Sequence, residues 1–278
     1  MADDFLSLML NLTRQGGEIA TGLIHNSRPG VKPDKSVITQ ADKDISALVQ
    51  RELKAYVDGG AHIIIDEEDP RHGEYLNGEA LDRAAYIWAL DPIDGTRPYA
   101  NRMPFYGISL GVLKHRRPWL GAVYFPSLNE LFYTDGSAAY FVQGAFSQHE
   151  TKTRIVPVDE EVNRQSIFLC SDSFFTRFNW DFKACHLIIP ACAVIDLCWP
   201  SIGRGCGSLI RCSLWDYAAS WAIARHAGLE LRSIESGRIM EELRLEDLQA
   251  ERGSWKLKDF YILSSERNFS VLRGILKG

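Results

Sequence analysis

Three stretches of this 278-residue chain place carboxylates where an apolar run ends or a helix begins. In the first, Ile63-Ile64-Ile65 run directly into Asp66-Glu67-Glu68-Asp69. In the second, Trp88-Ala89-Leu90 lead into Asp91-Pro92-Ile93-Asp94-Gly95-Thr96, and in the third Leu214-Trp215-Asp216-Tyr217-Ala218-Ala219 opens a helix-like stretch that stops at Gly228. Carboxylates gathered from such ends repel one another and their pKa values rise unless a cation sits among them, so a hard divalent metal is their natural partner. Pro92 fixes φ and is expected to break the strand after Asp91. Asp91 and Asp94 would then converge from two sides of one turn, with the Ile93 carbonyl as a further oxygen ligand. Gly95 lets the backbone approach a ligand closely, and the amides of Gly95 and Thr96, at a helix start, could hold a phosphate. Metal ligands beside phosphate-binding amides point to phosphoryl chemistry, although the same spelling also makes an ordinary turn and acidic strand ends are commonly just solvated.

The elements that must position these groups can be read from periodicity. An amphipathic helix occupies the amino terminus, followed by the loop NSRPGVKPDKS and a second helix from Asp42 to about Val57, with Ile45, Leu48, Val49 and Leu53 at helical spacing. Thr39 and Asp42 stand three apart ahead of it in the manner of a capping box. From Ala61 the period becomes that of strands, in HIII, YIWAL, FYGISLGVL, PWLGAVYFP, ELFYTDG and AAYFVQG, which predict a mainly antiparallel sheet. Past about residue 150 strands and helices alternate: SIFLCS, a mixed apolar run CHLIIPACAVIDLCW, a helix from Trp215 to Ala227 closed by Gly228, the strand DFYILSS and a terminal helix. Helices layered on sheets in both halves predict a layered α+β or α/β fold, and no G-x-G-x-x-G follows a strand, which argues against a doubly wound dinucleotide site.

Composition narrows the partners. Thirty-one basic against 36 acidic residues leave a net charge of -5 with no basic stripe, so no direct nucleic-acid binding is expected. No stretch reaches the roughly 18 apolar residues of a membrane span, and the amino terminus, with Asp3, Asp4, Arg14 and Glu18, does not read as a signal peptide. A cytoplasmic protein is expected. Of six cysteines, five fall within 28 residues without a C-x-x-C pair and read as buried reduced thiols. The seven histidines show no ligand spacing and read as structural or surface residues.

Asp66 to Glu68, the D-P-I-D-G-T run with Pro104 and Ser109 following, and the W-D-x-A-A run with its downstream Gly228 resemble, in order and spacing, the three signature motifs of the inositol monophosphatase family of magnesium-dependent, lithium-sensitive phosphomonoesterases. The resemblance extends to Thr39-Gln40-Ala41-Asp42, to GAVYFPSLNELFYTDGSAAYFVQG and to DFYILSSERNFSVLRGIL, and so spans almost the whole chain. It implies an αβαβα sandwich of the inositol monophosphatase and fructose-1,6-bisphosphatase type. It also implies a homodimer, and a single domain of two packed halves, roughly 1–145 and 146–278, with the active site between them. Glu67 matches a metal ligand and Glu68 its neighbour. Asp91 matches the carboxylate that bridges two ions, Ile93 offers its carbonyl, and Asp94 and Asp216 match ligands of the second ion, close to the substrate. Thr96 matches the residue that, with Glu67, orients and deprotonates the attacking water, and the Gly95 and Thr96 amides match the phosphate cradle. Asp42 and either Lys32 or Lys35 match groups at the outer metal and the phosphate, although Asp42 is also fully explained as a helix cap and either lysine as an ordinary loop residue. The cofactor implied is Mg2+, two or three ions, with Li+ or Ca2+ inhibitory, and the mechanism is two-metal activation of water.

The substrate-facing positions depart from the family. Pro98-Tyr99 stand where Asn-Phe is common, Ser208-Leu209-Ile210-Arg211 where a polyol-binding glutamate is expected, and Ala191-Cys192-Ala193-Val194 where a G-S/T-A-A turn touches the polyol. His226 and Leu229 replace a glutamate and a glycine after the third motif. A pocket without that glutamate should discriminate poorly for a diol, so myo-inositol phosphate is expected not to be the best substrate, with Arg211 facing a second anionic group. The expectation is therefore a phosphatase for a small phosphorylated metabolite, inositol monophosphate-like. A sugar bisphosphate, a 3′-phosphonucleotide and histidinol phosphate stay open as substrates, as does a non-catalytic regulatory protein of the same fold.

Overall fold

In the computed structural model, residues 2–26, 29–32, 36–158 and 160–276 are described. The first half opens with α1 (Ala2–Leu23), a short hairpin of β1 (Gly30–Val31) and β2 (Val37–Ile38), and α2 (Gln40–Asp58). Phe5, Met9 and Leu12 of α1 and Ile45, Leu48, Val49 and Leu53 of α2 are buried. Their three-to-four residue spacing gives each helix one apolar stripe to lay on a sheet. Thr39 and Asp42 close a capping box at the start of α2.

That sheet is built from β3 (His62–Asp66) and, after α3 (Gly78–Arg83), β4 (Tyr86–Asp94). Beyond α4 (Thr96–Ala100) it continues through β5 (Gly107–Lys114), β6 (Arg117–Phe125), β7 (Glu130–Thr134), β8 (Ala139–Gln143) and β9 (Thr151–Arg154). The seven strands pair in sequence order. Only β3 and β4 run parallel; every later pair is antiparallel. The two-residue alternation is clean: Trp88 and Leu90 join Ile108, Leu110 and Tyr124 under α1 and α2, while Ile87 and Ala89 join Val123 and Phe125 on the opposite face.

Pro92 does not end its strand as expected. β4 continues to Asp94, and the pairing with β5 shifts register between Asp91, opposite Ser109, and Asp94, opposite Gly107. The extra residue is a bulge, which accommodates a residue with no amide to donate and re-aims its neighbours.

The second half supplies β10 (Ile167–Cys170), β11 (His186–Ile188), α5 (Ala193–Cys198), β12 (Gly207–Ile210), α6 (Leu214–His226), β13 (Glu230–Ser233), β14 (Tyr261–Ser264) and α7 (Glu266–Ile275). Its five-stranded sheet has the order β11-β10-β12-β14-β13. α5 and α6 lie between the two sheets, contributing Val194, Ile195, Tyr217, Trp221 and Ile223 to a shared core with Phe125, Phe132, Tyr261 and Leu263. Phe269 and Leu272 of α7 cover the far face of the smaller sheet with Phe168, Leu209 and Ile262. The layers are thus helix, sheet, helix, sheet, helix, the αβαβα sandwich that the resemblance implies.

The middle layer depends on small residues. A Cβ on Gly111 would lie 2.6 Å from the Ala219 amide nitrogen, and one on Gly121 would overlap the Ala219 carbonyl. The alanines that follow Asp216 therefore let α6 rest directly on the bare backbone of β5 and β6.

Candidate active site

Asp91 and Asp94 stand at the bulged end of β4, and Asp216 in the first turn of α6. Each brings one carboxylate oxygen to within 4.8 Å of the other two. Each is also held from behind. Asp91 Oδ1 accepts from the Ile93 amide at 3.0 Å. Asp216 Oδ2 accepts from the Ser213 amide at 2.7 Å, closing the capping box of α6. Asp94 Oδ2 accepts from the Val194 amide and, at 3.3 Å, from the Cys192 thiol. Asp91 is 2% and Asp94 7% exposed.

Electrostatics match this crowding. Burial and then the charges of Glu67, Asp94 and Asp216 push Asp91 well above the usual carboxylate range. Burial raises Asp94 to about 6 despite its donors. Asp216 rises to about 8 through burial, Asp94 and Glu67. Four acids from three separate stretches of the chain thus share one field, and none of the leading influences on the three aspartates is a cation. Hard oxygen donors at this separation, charged only at a cost, fit a divalent cation such as magnesium.

Glu67 follows β3, its amide bonded to the Leu90 carbonyl at 3.2 Å. Its neighbour Asp66 is fully buried and turned away, accepting from Ser46 Oγ at 2.6 Å, Gln50 Nε2 at 2.8 Å and the Glu68 amide at 2.9 Å. That anchors the acidic run and leaves Glu67 and Glu68 to meet Lys32, whose Nζ lies 2.8 Å from Glu67 and 2.7 Å from Glu68. Burial raises Glu68 to about 7 against the opposing pull of Lys32. Asp42 rises to about 6, again chiefly through burial, with Glu67 adding to the rise and Lys32 opposing it. Lys35 lies outside the described residues.

Gly95 has φ of +84° and caps α4. A Cβ there would lie 2.5 Å from the Phe105 carbonyl oxygen, so the turn carrying the Gly95 and Thr96 amides requires glycine. Thr96 Oγ1 donates to the Ile93 carbonyl at 3.0 Å.

Arg211 is placed differently from the acids. Its guanidinium lies 5.3 Å from the ring centre of Phe260, which belongs to the cluster under α7, and its Nε is buried without a hydrogen-bond partner. Leu209 and Ile210, in the stretch where a glutamate was expected, are buried apolar residues. Tyr99 is also buried, donating from its hydroxyl to the Ala20 carbonyl at 2.8 Å.

The inositol monophosphatase family model matches residues 2–265. The chain belongs to that family. Like other inositol monophosphatase family proteins it is a phosphatase, a hydrolase of phosphoric monoesters. Inositol monophosphatase 1 of Solanum lycopersicum is 26% identical over 238 residues, covering 81% of this chain and 83% of its own. An IMPase of Thermotoga maritima superposes with a TM-score of 0.74 at 20% identity, over 98% of this chain and 96% of that one. An IMPase/NADP phosphatase complexed with Mg2+ and phosphate gives 0.72 at 17% identity, over 99% and 95%. Among the described residues no helix is long and apolar enough to cross a membrane.

Within this family member, sequence reading missed Cys192. By spacing it reads as one of the buried reduced thiols, and it donates to Asp94 from a turn in which Ala191 holds φ of +59°, a conformation that favours glycine. The signal was present, since A-C-A-V had already been matched to a substrate-side turn. Ser46 and Gln50, which fix Asp66, carried no comparable signal.

Proposed function

We propose that this phosphatase hydrolyses the phosphate monoester of a small polar metabolite by magnesium-assisted attack of water, at the junction of the ends of β3 and β4 with the start of α6. The observation that carries this is the convergence of Asp91, Asp94 and Asp216 oxygens within 4.8 Å, in the field of Glu67. Glu67, Asp91, the Ile93 carbonyl, Asp94 and Asp216 would hold the magnesium ions. Bound magnesium supplies positive charge against the phosphoryl oxygens and lowers the pKa of water.

The remaining work falls to the chain. Thr96 donates its hydroxyl hydrogen bond to the Ile93 carbonyl, so its oxygen is left to accept a hydrogen bond from water and aims the water's lone pair at phosphorus. Glu67 takes up the water's other proton as the bond to phosphorus forms. The Gly95 and Thr96 amides, on a turn that only glycine allows, hold phosphoryl oxygens, and their fixed dipoles stabilise charge as it develops. The bond from phosphorus to the ester oxygen breaks as the bond to water forms, and that oxygen, which Asp94 and Asp216 would face, takes a proton from solvent and leaves as the hydroxyl.

The side chains of Leu209 and Ile210 supply no acceptor for a vicinal diol, which supports a preferred substrate other than myo-inositol monophosphate; Arg211, whose guanidinium lies over Phe260, would meet a second anionic group. The two halves act as one unit, because Asp94 of the first is held by Cys192 and Val194 of the second. The resemblance further supports a cytoplasmic homodimer. Phosphate release from a panel of phosphoesters, including inositol 1-phosphate, sugar bisphosphates, 3′-phosphonucleotides and histidinol phosphate, with and without Mg2+ and Li+, tests the reading. Magnesium-dependent turnover of at least one ester, inhibited by lithium, is expected. Failure to hydrolyse any of them would overturn catalysis, and inositol 1-phosphate matching the best substrate would overturn the specificity reading.

A further inference from the structure

The acids of the site divide into two groups with different counter-charges. On the inner side, Asp91, Asp94 and Asp216 have carboxylates, amides and a thiol around them. On the outer side a cation is already built in: the Lys32 ammonium lies 2.8 Å from Glu67 Oε1 and 2.7 Å from Glu68 Oε1, with side chains 17%, 20% and 6% exposed. Lys32 is not a stray surface lysine. Its amide donates to the Ser36 carbonyl at 2.9 Å inside the β1–β2 hairpin, and β2 leads to Thr39, which grips Asp42 Oδ2 through its amide at 2.7 Å. The other oxygen of that carboxylate, Asp42 Oδ1, is buried without a hydrogen-bond partner. Glu67 and Glu68 therefore flank a position whose positive charge comes from the chain, and Asp42 stands in the same field.

We infer that Lys32 is a tethered cation occupying the outer position, so that its ammonium and an outer divalent ion ligated by Glu67 exclude one another and the native chain holds one divalent ion fewer than its carboxylates alone would accept. The inference rests on the reading of the cage as a magnesium site and deepens it by assigning what sets the number of ions. The physics is simple. An ammonium between two carboxylates neutralises charge on both without an octahedral shell, and a divalent ion arriving within a few ångströms must overcome its repulsion or move it away.

Manganese as the probe, with free Mn2+ counted by electron paramagnetic resonance during titration of the full chain, tests this. Lys32→Met keeps the length and apolar stem of the side chain without its charge, and Lys32→Arg keeps the charge. Expected is that Lys32→Met binds one further equivalent of Mn2+, or binds its weakest equivalent at least about tenfold more tightly, while the tighter equivalents stay as in the native chain and Lys32→Arg behaves like it. Native stoichiometry and affinities in a folded Lys32→Met protein would overturn the inference and leave the magnesium reading standing. Loss of Mn2+ in Lys32→Met would also overturn it, since Lys32 would then be organising ligands. A native chain that binds no Mn2+ would remove the metal site and the inference with it.

Discussion

Asp91 is the residue at which the case for catalysis is most exposed. Burial comes first among the causes that raise its pKa, and every charge that follows, Glu67, Asp94 and Asp216, is negative. Asp91→Asn should lower magnesium-dependent turnover on the order of 10³-fold or more while raising the melting temperature of the metal-free protein by a few degrees, because a repulsive charge leaves the cage. Phosphate release together with thermal unfolding in chelator checks both halves. A variant that melts earlier and still turns over would end the assignment. Cys192 makes a finer prediction: Cys192→Ser keeps a donor on Asp94 and should retain native magnesium dependence, whereas Cys192→Ala should raise the magnesium concentration for half-activation about tenfold. The acids could be named from sequence because each motif is local and its spacing is rigid. The A-C-A-V stretch marks Cys192 as lying near the substrate, but its pairing with Asp94 could not be named, because that acceptor lies 98 positions away in the chain.

At the level of elements, the position of Asp216 is set by how closely α6 approaches the larger sheet. Gly111 and Gly121 lack the side chains that would push Ala219 away. Gly121→Ala should destabilise the fold by about 1–3 kcal/mol through overpacking. It should also raise the magnesium requirement, because Asp216 rides on the first turn of the displaced helix. Denaturant unfolding and magnesium titration of activity test these together, and a stable Gly121→Ala protein with native magnesium dependence would show that the close approach is not what aims Asp216. The longer helices α1, α2, α6 and α7 and the strands β3 to β8, β10 and β14 were legible from their 3.6- and two-residue periods, whereas β9, β12 and β13 are short and carry too few apolar residues to show a period; Gly228, with φ of +72°, follows α6 as its left-handed cap. The continuation of β4 through Pro92 was not, because proline forbids the ladder bond only where a regular ladder exists, and the bulge against β5 removes that requirement locally.

For the whole molecule, the cage ties stability to pH and metal. A carboxylate whose folded pKa lies above its unfolded value contributes stability that is complete below the unfolded value, near 4, and is lost as pH rises through the folded one. With Asp94 at about 6 and Asp216 at about 8, the metal-free protein should lose thermal stability between about pH 4 and pH 8. Saturating Mg2+ should flatten or reverse that decline, since it binds the ionised cage of the folded state. Asp216→Asn should show a shallower metal-free decline than the native chain. Melting curves across pH with and without chelator decide it, and a native decline that neither Mg2+ nor Asp216→Asn alters would assign it to other groups.

What the amino-acid sequence determined by itself was the inventory and its chemistry: which acids end apolar runs, which glycine must turn sharply, which helices carry one apolar face, and the family these jointly imply. Those are properties of neighbours within a few residues, where covalent geometry restricts the outcome. Only the tertiary structure decided that Asp66 is turned away while Glu67 and Glu68 face Lys32, that Arg211 rests on Phe260, and that Val194 and Cys192 hold Asp94. Each of these depends on which distant segments meet, and that is set by sheet register and the thickness of the middle helical layer, not by spacing along the chain.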